Sequence, residues 1–171
     1  MEKIFCEKLP RILKAKKMLE EKLNIKISNK GKDVYIKGKA KDEYTAKRVI
    51  DALNFGFYFK DAILIKEEDY EFDLLNIKEY AKNHNLERIR GRLIGKNGKT
   101  KKTLSHLTKC AIEIKDNFIG IIGPAEQIYN AQQALISLIK GSKQSNVYSY
   151  LEKHQLKPIW DLGLKNNYKN L

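Results

Sequence analysis

The sequence predicts an α+β fold built from two similar units, each a three-stranded antiparallel sheet packed on helices. Three observations predict it: a self-similarity at a fixed offset, short runs that alternate apolar and polar residues, and longer runs whose apolar residues recur every three or four positions. Sliding the chain by 85 residues brings Leu19 onto Leu104, Ile27 onto Ile112, Ile36 onto Ile121 and Gly38 onto Gly123 without a gap. The match continues through Tyr44 with Tyr129, Ala46 with Ala131 and Leu53 with Leu138. It also aligns Lys14, Lys16 and Lys17 with Lys99, Lys101 and Lys102.

In chain order, strands near Lys3 to Cys6 and Glu71 to Ile77 open the two units. Helices over Lys14 to Leu23 and Lys99 to Thr108 each lead into two short strands. These are Ile25 to Ser28 with Val34 to Lys37, and Cys110 to Ile114 with Phe118 to Ile122, joined by tight polar loops. A further helix closes each unit. In the second unit Ile128, Ala131, Leu135 and Leu138 form one apolar stripe, and Pro124 after Gly123 suits an early helical position. Gly56 ends the corresponding helix of the first unit, and Phe57 to Asp69 reads better as a short helix than as a strand. Beyond Ser142 the chain is polar, with a helix expected over Val147 to His154, capped by Ser145 or Asn146, and then a tail that contains Trp160. The chain therefore divides at 1–68, 69–141 and 142–171.

Composition narrows the function. With 171 residues and 42% hydrophobic content there is enough apolar material for a core in each unit. A net charge of +13 favours polyanionic partners, nucleic acid before anionic membrane, because clustered cations gain affinity by displacing condensed counterions. The charge is concentrated: between Lys82 and Lys109 there are nine Lys or Arg against one acid, Glu87. No apolar run approaches the roughly 20 residues that span a bilayer. The segment MEKIFCEKLP has charges where a signal peptide needs an apolar centre, so a soluble cytoplasmic protein with no membrane partner is expected. Cys6 and Cys110 form no C-x-x-C pair, so neither a disulfide framework nor a zinc site is expected, and no cofactor is implied. Cys110 reads as a small apolar residue that begins a buried strand.

Inside the basic region lies a Gly-x-x-Gly turn, Gly95, Lys96, Asn97 and Gly98. Glycine at both ends lets a sugar-phosphate backbone approach the main chain, and the amides of the following helix can then face the phosphates. Lys96 adds charge and Asn97 a polar donor. Arg88, Arg90 and Arg92 alternate ahead of the turn and can reach phosphates or stack on bases. Leu93, Ile94 and Ile112 can floor an apolar groove. Bases splayed in such a groove are unpaired, so the ligand is single-stranded nucleic acid. The candidate binding residues are Arg88, Arg90, Arg92, Ile94, Gly95, Lys96, Asn97, Gly98, Lys99, Lys101 and Lys102. In the first unit, Pro10, Arg11, Ile12 and Leu13 occupy the slots of Gly95 to Gly98, and their side chains block a close approach.

The order of basic segment, glycine turn, amphipathic helix, strand pair and helix resembles the KH RNA-binding domain of eukaryotic type (type I). That resemblance implies two tandem KH domains, the first degenerate. More specifically, RIRGRLIGKNGKTKKTLSHLT, IGIIGPAEQIYNAQQALISLIKGS and NVYSYLEK resemble the archaeal and eukaryotic KH proteins of small-subunit ribosome assembly, a family named in eukaryotes as partner of the Nob-one endonuclease. The resemblance covers about residues 3 to 155 and is strongest from Glu87 onward. It implies binding near the 3′ end of the small-subunit rRNA precursor, placed for cutting by a separate nuclease. The maturation endonuclease and the pre-ribosomal particle are the implied partners. Two units without a long acidic extension resemble the archaeal form.

Rival readings have specific weaknesses. Gly98, Lys99 and Thr100 imitate the end of a P-loop, but that motif needs a glycine where Leu93 stands and a strand where the arginines are. His84, His106 and His154 lack metal-ligand spacing, and Glu67, Glu68 and Asp69 read as a solvated loop, so no enzyme is expected. A general RNA chaperone or messenger-binding regulator is the main alternative, and a protein-only adaptor the next.

Overall fold

The computed structural model describes residues 1–82 and 85–155. The first half runs β1 (Glu2–Phe5), α1 (Leu9–Leu23), β2 (Lys26–Lys30), β3 (Asp33–Lys37) and α2 (Ala40–Phe55). A short helix, α3 (Phe59–Ala62), and a tight 3-10 turn over Ile63–Lys66 lead into the second half. There β4 (Tyr70–Asn76), α4 (Ile77–Ala81), α5 (Leu86–Ile94), α6 (Lys99–Thr108), β5 (Ala111–Lys115), β6 (Phe118–Pro124) and α7 (Ala125–Ile139) follow, and α8 (Gln144–Lys153) closes the described chain.

Each half contains one three-stranded antiparallel sheet with its last strand in the middle, in the orders β1-β3-β2 and β4-β6-β5. The alternation in β3 explains its orientation: Val34 and Ile36 are buried beneath α1 and α2, while Lys37 is exposed. A full burial of each such Val or Ile contributes about 1.5–3 kcal/mol. The stripe on α7 behaves alike, with Ile128, Ala131, Leu135 and Leu138 all buried in the core of the second half.

The 85-residue offset holds for β2 against β5, for β3 against β6 and for α2 against α7. It has a packing basis at Gly38 and Gly123, where a Cβ would press on Ile25 and Cys110, two residues that are themselves 85 apart. Upstream the offset fails. Glu2 pairs with Ile36 and Asp73 with Ile121, so the leading strands correspond at an offset of 71, and the first half is 14 residues shorter between its first strand and its second. It has one continuous helix there, α1, where the second half has α4, α5, a turn and α6. The expectation that the halves read alike is corrected on this point.

Smaller corrections have local causes. Pro124 is the last residue of β6 and precedes α7, with an extended ψ of 140°, rather than sitting inside the helix. Helix α8 begins at Gln144, so Ser145 and Asn146 lie in its first turn and neither caps it. Val147 and Leu151 of α8 are buried with the second core, which ties residues 144–153 to that half. Trp160 and the tail expected around it lie outside the described residues.

The halves share an apolar seam. Phe55 and Phe57, at the end of α2 and just after it, stack at a centroid distance of 5.9 Å, and both pack edge-on against Phe72 of β4. A Cβ on Gly120 of β6 would stand 2.7 Å from the Phe57 ring and 2.8 Å from that of Phe55, so only glycine lets the two rings lie against the sheet. Ile122 of β6 is buried in the first half's core.

Candidate nucleic-acid interface

Helix α5 starts at Asn85, whose side-chain oxygen accepts from the amides of Glu87 at 2.9 Å and Arg88 at 3.2 Å. It stops at Gly95, with φ 73° and ψ 172°, a conformation essentially reserved for glycine. Gly95 is required sterically as well, since a Cβ would collide with Thr100. Asn97 and Gly98 follow with φ 54° and 71°. Three left-handed residues in four reverse the chain and start α6 without a side-chain cap; the Lys99 amide bonds back to the Lys96 carbonyl, and the amides after it begin the helix facing the turn.

Around Gly98 the space is empty: a Cβ there would meet nothing within 4 Å. Lys96, Asn97 and Lys99 are exposed beside it, and Ile94 is 38% exposed. The geometry offers anion-seeking amides, three exposed polar or cationic side chains and one apolar contact.

The turn is held from behind, in part by Gln144 and Glu113, which nothing in the sequence singled out. Thr100 is buried, and its hydroxyl oxygen accepts from Gln144 Nε2 of α8 at 3.0 Å. That position of Thr100, under Gly95, also removes the hydroxyl from where a P-loop would present it to a metal. Glu113 of β5 pairs with Lys101 at 3.0 Å, so Lys101 bridges helix to strand. No local signal pointed to Gln144, because its partner is 44 positions away.

The three arginines are not on one face. In a helix, residues four apart share a side and residues two apart do not. Arg88 and Arg92 accordingly line a small pocket with Lys140 at the end of α7, and Arg92 Nη2 donates to the Ser142 carbonyl. Arg90 turns the other way and donates to the Asp116 carbonyl at 3.1 Å, in the β5–β6 turn. The helix thus divides the three alternating arginines between two sides. Leu93 is fully buried in the core rather than in a groove floor; Ile112 is buried as well but lines a cleft beside α6, and Ile94 is the exposed apolar side chain at the turn.

In the first half, Pro10 to Leu13 lie within the opening turns of α1, and Ile12 is buried there. His106 is exposed on α6, and His154 rests on Tyr150. His84 lies outside the described residues. Burial pushes the thiols of Cys6 and Cys110 up to about 11, so both stay protonated at neutral pH. Among the described residues no helix is long and apolar enough to cross a membrane.

Residues 71–156 match the description of a eukaryotic-type KH domain (KH-domain type I). The chain is 28% identical over 149 residues to a KH domain-containing protein of Methanocaldococcus jannaschii, covering 83% of this chain and 66% of that one. It is 34% identical over 108 residues to the pre-rRNA-processing protein pno1 of Aspergillus oryzae, covering 61% and 42%. The chain thus spans two thirds or less of the length of these relatives. A solved chain from the a/eIF2alpha-aDim2p-rRNA complex of Pyrococcus horikoshii superposes with a TM-score of 0.77 and 25% identity, over 89% of this chain and 92% of that one.

Proposed function

The chain belongs to the Pno1/Dim2-type family of KH-domain proteins, and from that premise we propose that it is a single-stranded RNA-binding protein of small ribosomal subunit biogenesis. It holds the small-subunit rRNA precursor near its 3′ end so that a separate nuclease can cut it. The role is placement, carried out in the cytoplasm on the pre-ribosomal particle, and the chemistry belongs to the nuclease.

One observation carries the reading: the Gly95 to Gly98 turn presents open space, uncapped helix amides and exposed Lys96, Asn97 and Lys99 at a single point. A phosphate backbone seats against Gly98, the α6 amides and lysines meet its charge, and Ile94 touches a base. Lys102, exposed one turn further along α6, extends the cationic edge. Lys101 and Arg90 shape the groove through their bonds to Glu113 and Asp116, and Arg88 and Arg92 form a separate cationic patch at the end of α7. The relatives' names support the ligand class, since one is a pre-rRNA-processing protein and another was solved in a complex with rRNA.

The first half is read as a second KH-type unit that has lost its leading helix and its turn. The division is then 1–68 and 69–141, with the helix of 142–171 joined to the second core.

Fluorescence anisotropy tests the proposal, with an RNA matching the 3′ end of small-subunit rRNA, a scrambled RNA, a duplex and the variant carrying Lys96→Asp and Asn97→Asp. Tight binding selective for the first RNA, lost in the variant and without loss of folding, is the expected result. Unchanged affinity in the variant would sink the mechanism. Equal binding to all three RNAs would favour a general RNA chaperone or messenger-binding regulator.

A further inference from the structure

The sheet of the first half has one face turned to its helices and one turned to water. Alternation puts Ile4, Ile27, Val34 and Ile36 in the core, so their neighbours Phe5, Lys26, Tyr35 and Lys37 point the other way. We propose that this outer face is a second RNA site, separate from the glycine turn, which stacks unpaired bases on Phe5 and Tyr35 and pairs phosphates with the lysines around them. The ligand class rests on the RNA-binding reading above, whereas the site shares no residue with the turn.

Charge is the first argument. Lys3, Lys26, Lys30 and Lys37 stand on this face against one acid, Asp33, while the whole chain has 34 Lys and Arg to 21 Asp and Glu. Asp33 is already held by Lys3 at 2.9 Å. Lys26, Lys30 and Lys37 are exposed and have no ion pair among the described residues. An arriving anion therefore meets three uncompensated cations.

Register is the second. Lys26 and Lys37 stand directly opposite each other across β2 and β3. Like charges in that position repel and weaken a sheet, so the fold gains nothing from this pair, whereas a bound phosphate would relieve it.

The third argument is a flat apolar surface among those charges. Phe5 is 58% exposed on β1, and half-buried Tyr35 is the middle residue of the central strand, with Lys3 and Ser28 opposite it on either side. Phe5 pairs in register with Asp33, two positions from Tyr35, so the two rings are diagonal neighbours about 7–8 Å apart on one face. Other folds hold unpaired bases on sheet aromatics in this way. The second sheet offers no such surface, because Gly120 and Ile122 are covered at the seam. An acidic peptide would satisfy the lysines and leave both rings without a flat partner, and a duplex would keep its bases paired.

Amide NMR on the full chain tests the site, with a short oligouridine, an RNA duplex and an oligoglutamate peptide as probes at several salt concentrations. Oligouridine should shift two separate sets of amides, those from Gly95 to Lys99 and those of Phe5, Tyr35 and Lys37. Phe5→Ala should weaken binding at the sheet about tenfold, the loss of one stacked base, and leave the turn unchanged. Lys26→Gln with Lys37→Gln should lower the slope of log affinity against log salt at the sheet by about 1.4, two contacts at about 0.7 each. The same variant should melt no lower than the parent, because it removes the repelling pair. Shifts confined to the turn, or a sheet response that neither variant weakens, overturn the proposal while the turn stands. A sheet that responds to the duplex as strongly as to oligouridine, or to oligoglutamate more strongly, also overturns it, in favour of a charge contact or a protein partner. Failure of the turn itself appears separately, as turn shifts that persist in Lys96→Asp with Asn97→Asp.

Discussion

The two sheets share strand order and register, yet their outer faces meet opposite environments. Tyr35 and Lys37 of β3 hold the register positions of Gly120 and Ile122 of β6. Lys37 is exposed to water, while Ile122 is buried among first-half side chains and Gly120 lies under the rings of Phe55 and Phe57. Each sheet thus has one helix-covered face, and the second sheet has another buried face as well. The half that carries the glycine turn is the one clamped from both sides, which limits the ordering cost when a ligand binds.

The largest expected effect probes that difference directly. Gly120→Val drives a side chain into Phe55 and Phe57 and should cost about 2–3 kcal/mol or more, read from urea denaturation, whereas Tyr35→Val at the matching position should cost less than about 1 kcal/mol. Equal losses at the two positions would remove the basis of the comparison.

Next comes the turn. Gly95→Ala meets a forbidden backbone conformation and Thr100, and should cost about 1–3 kcal/mol together with RNA affinity. Pro10→Ala, in the equivalent slot at the start of α1, should stay within about 0.5 kcal/mol. A Gly95 variant as stable as the parent would show that the turn can relax without harm.

The smallest effect concerns the brace. Thr100→Val keeps the shape but removes the acceptor for Gln144, and should lower stability by about 1 kcal/mol in thermal unfolding. Its first-half counterpart, Ala15, is buried without any polar partner. An unchanged melting temperature would mean that α8 docks through Val147 and Leu151 alone.

Much of this was legible in the sequence. The strands of each half fall within one or two residues of their expected places, because side-chain alternation is a local pattern. The boundaries of α6 and the helical end at Gly56 were legible for the same reason. Which of Arg88, Arg90 and Arg92 share a side was not legible, because they alternate equally well in a strand and in a helix, and the capping at Asn85 that decides between them is weak evidence in isolation. The missing helix of the first half was hidden by a gap-free offset that describes only the residues after it.

What the sequence by itself determined is the local material: two alternating strand pairs, their amphipathic helices and a Gly-x-x-Gly turn in a field of cations. Periodicity and backbone permissiveness act over a few residues, so they can be read in order along the chain. Only the tertiary structure decided that Gly120 faces aromatic rings, that Gln144 braces Thr100, and that Arg11 and Tyr58 stand opposite Lys109 across a cleft. Those outcomes depend on which surfaces come together after the chain has folded, and burial of Phe55, Phe57 and Phe72 at the seam is the term that brings them there.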